Sequence, residues 1–364
     1  MRKRMKHNIF LGLVSLAVVA LGVLSFGSAS AIEQEEDTSQ YGEIVDGIVA
    51  VVGDQVVTRS ELSEAMAFEA SLLKAKVRAG LDQDAMNSQF LELQKEIRGN
   101  LVDNKLILLA AIDEDLDVDE QLDKRVSQLK QAFPAEDALN RGLAAQGYGS
   151  LKEFRSKMRE ELLRQRIVFT QVRPRSEVTQ KEVNSSFKKR YGGKKAREAN
   201  CAGALVRVFA LEQVRFQLPK DIRFSQLIES YSNAYSCYLN LKAGKFQFSD
   251  AVTECTLNNV APAIGSLGEV DETKSFEANF QGAFDTIIAA DGIEYSEPFI
   301  INDGIWLLRV KSTRTECMSD SSAVARLKER LKARLGEEKF ERVMKWWLRQ
   351  LRGKFRVVLR PLNF

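Results

Sequence analysis

The chain has 364 residues, 45% hydrophobic and 28% charged, a globular composition with room for two or three domains. Its formal charge is +3, but four of the 53 basic residues lie in Met1–Ala31, which has no acid, leaving 49 basic residues against 50 acidic ones. That balance argues against a nucleic-acid-binding protein, which needs a basic field. The single histidine, His7, lies in the same leader. Beyond it, the chain has no imidazole for a general base at neutral pH, for a Ser-His-Asp or Cys-His triad, or for a His-containing metal site.

Met1–Ala31 reads as an export signal. A basic start precedes the apolar run Ile9–Phe26, and Ala29-Ser30-Ala31 fits the small-x-small cleavage rule. The run is also just long enough to span a bilayer, so the alternative is an uncleaved anchor with the body outside the cytoplasm. Residues 32–44 are acidic and polar (Glu33, Glu35, Glu36, Asp37) and read as a flexible leader.

Val45–Glu61 follows as strand, turn, strand and helix start. Ile48–Val52 is rich in β-branched residues, Gly53-Asp54-Gln55 supplies the turn, and Thr58 stands three residues before Glu61, the spacing of a capping box. Apolar residues then recur at three and four from Ser60 to Val77, and Gly80 ends that helix. A second helix spans about Asp84–Ile112. A third begins at Asp117–Glu120 and stops before Pro134, and a short one covers Ala135–Ala145. Ser150/Glu153 and Thr179/Glu182 repeat the capping-box spacing ahead of two more helices, which stop by Pro174 and at Gly192-Gly193.

Composition changes after Lys194–Asn200, and all four cysteines fall beyond it. Two strands are expected at Ala204–Phe209 and Gln213–Leu218, a helix at about Ser225–Ala243, and a short helix capped by Ser249. A glycine-bearing loop at Gly265–Gly268, a helix near Phe276–Ala289, and strands at Glu297–Ile301 and Ile305–Lys311 complete an α+β unit. Ser321–Arg352 is a long amphipathic helix with Gly353 at its C′ position. Phe355, Val357 and Leu359 then alternate with Arg356, Val358 and Arg360 as a strand. A lone hairpin is not stable in water. This last strand is therefore expected to return and cover the opening one.

This order of parts, and the stretches VDGIVAVVGDQVVTRSEL, Asp117–Leu122 and Lys339–Leu359, resemble the SurA family of periplasmic folding chaperones. The middle (Phe246–Thr253, Gly265–Gly268, Phe280–Phe284, Tyr295–Pro298, Gly304–Val310) resembles one parvulin-type peptidyl-prolyl isomerase domain, where better-known relatives carry two. The resemblance implies an α+β fold: a mainly helical SurA-like chaperone module completed by the C-terminal helix and strand, with one inserted parvulin-like domain. The implied domains are 45–193, 194–318 and 319–364, the last packing on the first.

The parvulin pattern is degenerate. Its two active-site histidines align with Gln213 and Trp306, and Cys255 aligns with its Cys/Asp position. The resemblance thus implies a retained fold without an efficient isomerase. Four cysteines in an oxidising compartment read as disulfides, with three pairings open. Cys201 and Cys317 flank the parvulin-like unit, whose first and last strands should be neighbours, which favours Cys201–Cys317 with Cys237–Cys255. No C-x-x-C occurs, and neither a metal nor a cofactor is expected.

A chaperone needs an adaptable apolar surface, and Met66, Phe68, Leu72, Met158 and Phe169 are the peptide-binding candidates, each also readable as plain core. Arg326–Arg356 is rich in Lys and Arg, readable as a solvated helix face or as a surface for anionic headgroups. The expected function is an ATP-independent periplasmic holdase for unfolded outer-membrane or secreted polypeptides. The outer-membrane assembly machinery is a further possible partner. An active isomerase and a membrane-tethered folding factor are the alternatives.

Overall fold

A computed structural model describes residues 46–256, 261–272, 274, 276–289, 295–302 and 304–362. The leader and its signal lie outside the described residues. In chain order the elements are β1 (Ile48–Val52), β2 (Gln55–Thr58), α1 (Arg59–Arg78), α2 (Gln83–Asp113), α3 (Asp119–Ala132), α4 (Glu136–Ala145), α5 (Leu151–Gln171), α6 (Arg173–Ser176), α7 (Gln180–Tyr191) and α8 (Lys194–Glu198). Then come β3 (Ala204–Gln217), α9 (Phe224–Lys242), the single turn Phe248–Asp250, α10 (Ala251–Glu254), β4 (Ala263–Asp271), α11 (Ala278–Ala289), β5 (Phe299–Ile301), β6 (Gly304–Met318), α12 (Ser321–Lys354) and β7 (Val357–Leu359). The fold is α+β, and the chain divides into two compact units.

The first unit, mainly helical, joins residues 46–70, Gln83–Gly193 and Ala325–Phe364. Its three-stranded antiparallel sheet has the order β2-β1-β7. Ala50, Val51 and Val52 lie opposite Leu359, Val358 and Val357. Arg360 N–H donates to the Val49 carbonyl (3.0 Å) and Gly53 N–H to that of Arg356 (2.8 Å), extending the ladder at both ends. Gly53 takes φ +60° in the β1–β2 turn, and a Cβ there would meet Leu109 Cδ1 at 3.1 Å, so glycine is required twice over. Thr58 and Glu61 close the capping box: Thr58 N–H donates to Glu61 Oε2 (2.9 Å) and Glu61 N–H to Thr58 Oγ1 (3.2 Å).

The core of this unit runs from Ala50, Val52 and Val57 through Leu62 and Leu106 to Leu122, Leu143 and Ile167, and reaches Trp347 and Leu351 of α12. Arg352 is bonded to Asp103 (2.5 Å), Lys354 to Asp113, and Lys339 to Glu182 (2.9 Å), so α12 is tied along its length. α5 stops at Gln171, ahead of Pro174, which lies in the first turn of the short helix α6, where its missing N–H costs nothing. Two local expectations are corrected. Gly353 lies inside α12, which continues to Lys354. Ser150 accepts from Glu153 N–H, but the Glu153 carboxylate accepts from Gly149 N–H, so only half of that box forms.

The second unit joins Ser71–Asp82 with Lys194–Val324. Its sheet has the order β4-β3-β6-β5, all antiparallel. The two strands expected at 204–209 and 213–218 are one strand, β3, because β6 pairs with it from Ala204–Met318 to Gln217–Gly304. The glycine-bearing segment 265–268 is part of β4 rather than a loop. Leu267 is the extra residue of a β-bulge there, followed by Gly268 at φ +76°. Residues 71–82, expected in the helical domain alone, belong with this unit: Ala75 is fully buried among Ile228, Tyr231 and Tyr235, and Ser232 Oγ–H donates to the Ala75 carbonyl (2.9 Å).

Candidate functional site

Alternation along β3 gives the second unit's sheet two different faces. Val214, Phe216, Ile305 and Leu307 lie under α9. Phe209, Leu211 and Leu308 lie under Phe280, Phe284 and Ile287 of α11. Gln213 and Arg215 continue the second face, two and four residues on from Leu211. Gln213 lies opposite Gly265 on one side and Leu308 on the other, and Arg215 lies opposite Trp306, which in turn faces Phe299.

The two positions aligned with the parvulin histidines therefore share one face of the sheet. Arg215 stacks its guanidinium over the Trp306 ring (5.0 Å), and Phe280 meets the same ring edge-on (6.4 Å) while stacking on Phe276 (4.4 Å). Gly304 explains the packing. A Cβ on it would meet Trp306 Nε1 at 2.9 Å and Arg215 Nε at 3.2 Å, so the indole lies over a glycine that leaves room for it. Gln213 Oε1 and Trp306 Nε1 are buried with no hydrogen-bond partner among the described residues. The face offers aromatic surface and amide and indole hydrogen-bonding groups. Neither Gln213 nor Trp306 can exchange a proton near neutral pH.

Cys255 is not a free thiol at this face. It is buried and disulfide-bonded to Cys237, which pins α10 to α9, and Cys201 is bonded to Cys317. This is the pairing expected from the sequence, and a disulfide sulfur is no nucleophile. On α9, Tyr235 stacks with Tyr231, and its phenol is pushed well above the usual range by burial and then by Glu297. Glu297 is itself bonded to Lys76 (2.7 Å).

The peptide-binding candidates are dispersed. Met66 is buried in the helical unit's core, and Met158 packs half-buried against it. Leu72 packs half-buried in the other unit. Phe68 and Phe169 stand 42% and 62% exposed. Leu91, Ile112 and Trp346 are also exposed, and sequence reasoning missed them because periodicity marks the apolar stripe of a helix without saying how much of it a neighbour covers. Among the described residues no helix is long and apolar enough to cross a membrane, and no His/Cys/Asp/Glu group is placed to hold a metal.

These features define an α+β protein with a mainly helical unit closed by β7 and a four-stranded antiparallel sheet bearing an aromatic face. Residues 1–168 match the SurA-like N-terminal domain family. A curated relative, the chaperone SurA of Nitrosospira multiformis, is 29% identical over 174 residues, which cover 47% of this chain and 38% of that protein's length. Similar solved structures include a SurA-like chaperone of Campylobacter jejuni (13% identity, 86% of this chain and 99% of that one, TM-score 0.34). The foldase PrsA of Streptococcus pneumoniae is another (14% identity, 85% and 94%, TM-score 0.28). The N-terminal part of the chain, residues 1–168, is thus similar to the SurA-like N-terminal domain family.

Proposed function

We propose that the protein is an exported, ATP-independent holdase that acts in the periplasm on unfolded outer-membrane or secreted polypeptides. The observation that carries this reading is that Phe68, Leu91, Ile112 and Phe169 of the helical unit each stand between 42% and 62% open to solvent. Such side chains can supply the apolar contacts that a non-native chain needs. A holdase works by binding a non-native chain and lowering the concentration free to aggregate, which needs no catalytic residue. Phe68 and Phe169 are the primary contacts and Met158 an adaptable wall behind them, with Met66 and Leu72 acting from within the two cores.

The parvulin-like unit serves in this reading as a binding or spacing module. The rival reading, a working isomerase, would use this sheet face, but a parvulin with Gln213 and Trp306 in place of imidazoles lacks the imidazole network that would lower an X-Pro barrier of about 18–20 kcal/mol. The test is light scattering of a denatured outer-membrane barrel protein with and without the chain. Suppressed aggregation that weakens in a Phe68→Ser/Phe169→Ser variant is expected, and unchanged scattering by the wild-type protein overturns the reading. A protease-coupled assay on an X-Pro peptide decides the rival: turnover well above background that is lost on substitution at Trp306 would establish it. Sequencing the mature N-terminus decides between cleavage after Ala31 and a retained anchor.

A further inference from the structure

We infer that the exposed side of α12, together with α6, is a docking surface for an anionic phospholipid bilayer. Trp346 and Trp347 are neighbours in sequence and opposites in environment. Trp347 is 6% exposed and belongs to the core, whereas Trp346 is 45% exposed. Arg342, Lys345, Trp346 and Arg349 are spaced at three, four and seven along α12 and are all exposed, so they share one side of the helix. α6 brings two further guanidinium groups: Arg175 lies over the Trp346 ring (5.6 Å) and Arg173 over Phe340 (5.9 Å).

This surface carries five cations. Among the described residues their one ion pair is Lys345–Glu341 at 3.5 Å. Nearer the end of α12, Arg352 is matched by Asp103, Lys354 by Asp113 and, one turn before the surface, Lys339 by Glu182. The surface cations thus stand beside the exposed indole with a single acidic partner between them.

The chemistry of the surface selects its occupant. Guanidinium groups bind phosphate oxygens in pairs, and an indole settles where an apolar layer meets a polar one. A bilayer bearing anionic headgroups offers both together. An acidic polypeptide offers carboxylates without an apolar layer, and an unfolded apolar client offers no match for the charge. Docking is peripheral, since Trp347 and Leu351 on the other side of the helix are committed to the core.

The test is co-sedimentation of the full chain with vesicles of phosphatidylglycerol and phosphatidylethanolamine, compared with phosphatidylcholine alone. A preference for the anionic vesicles that fades with added salt is expected. The double variant Arg342→Gln/Arg349→Gln loses it by roughly fivefold for each cation removed. The wild-type chain shows a blue shift of indole emission on the anionic vesicles that Trp346→Phe abolishes. All three positions are exposed, and far-UV circular dichroism verifies that the variants fold. No preference for anionic vesicles, or one that the double variant retains in full, overturns the proposal. Binding to polyglutamate that needs Arg342 and Arg349, with none to vesicles, assigns the surface to an acidic protein instead.

Discussion

Val51 and Val358 lie directly opposite each other in adjacent antiparallel strands, although one stands at the start of the described chain and the other at its end. β1 is thereby the middle strand of its sheet, with β2 and β7 on either side. The β1–β2 hairpin gains its third strand only when β7 arrives from the far end of the described chain.

The helix that delivers β7 should be energetically essential. Trp347 is 6% exposed in the core shared with Leu106 and Leu62. Trp347→Ala is expected to destabilise the helical unit by about 3–5 kcal/mol, from lost transfer energy plus the cavity left behind. Urea unfolding followed by far-UV circular dichroism measures this, and the neighbouring exposed Trp346→Ala should shift the midpoint far less.

Gly304 is held without a side chain by its neighbours. In Gly304→Ala the new methyl meets Trp306 Nε1, Arg215 Nε and the Phe216 carbonyl at 2.9–3.3 Å. The indole must swing off the glycine and lose its guanidinium partner. The expected result is a changed near-UV circular dichroism band and a loss of about 1–3 kcal/mol. An unaltered band would show that the indole has room to spare.

The two disulfides should differ in both accessibility and worth. Cys317 is exposed and Cys255 is buried, so a mild reductant is expected to open Cys201–Cys317 first, as read by thiol labelling and peptide mapping. Cys201 and Cys317 are 116 residues apart and Cys237 and Cys255 only 18. On the chain-entropy model, removing the long cross-link costs on the order of 4–5 kcal/mol and the short one about 3 kcal/mol.

Acid should loosen the start of α7. The Glu182 carboxyl is held down to about 2, first by the Thr179 amide and then by Lys339. A depressed value means that the folded chain favours the carboxylate. Its contribution is therefore complete above the ordinary carboxylate range and is lost as pH falls through about 2. Resonances of residues 179–182 should report the fraying in that window, and Glu182→Gln should remove the pH dependence.

Much of the architecture was legible because local chemistry fixes it. The Thr58/Glu61 and Thr179/Glu182 spacings give capping boxes whatever lies nearby, since donor and acceptor sit within one turn. The β-branched run at Ile48–Val52 and the alternation at Val357–Leu359 identify two strands with apolar faces to cover. Less legible was the segment 265–268. Its glycines suggest a loop, yet eight paired residues of ladder with β3 hold it as a bulged strand.

The sequence by itself determined the capped helices, the strand periodicities, the absence of imidazole beyond His7 and the presence of cysteines in one region only. Only the tertiary structure decided that Gln213 and Trp306 share a sheet face, that Cys255 is locked to Cys237, that residues 71–82 pack beneath α9, and that Trp346 is open while Trp347 is buried. The physical reason is range. Caps and periodicity act within a turn or a pleat, whereas burial and pairing depend on segments that the chain brings together from far apart.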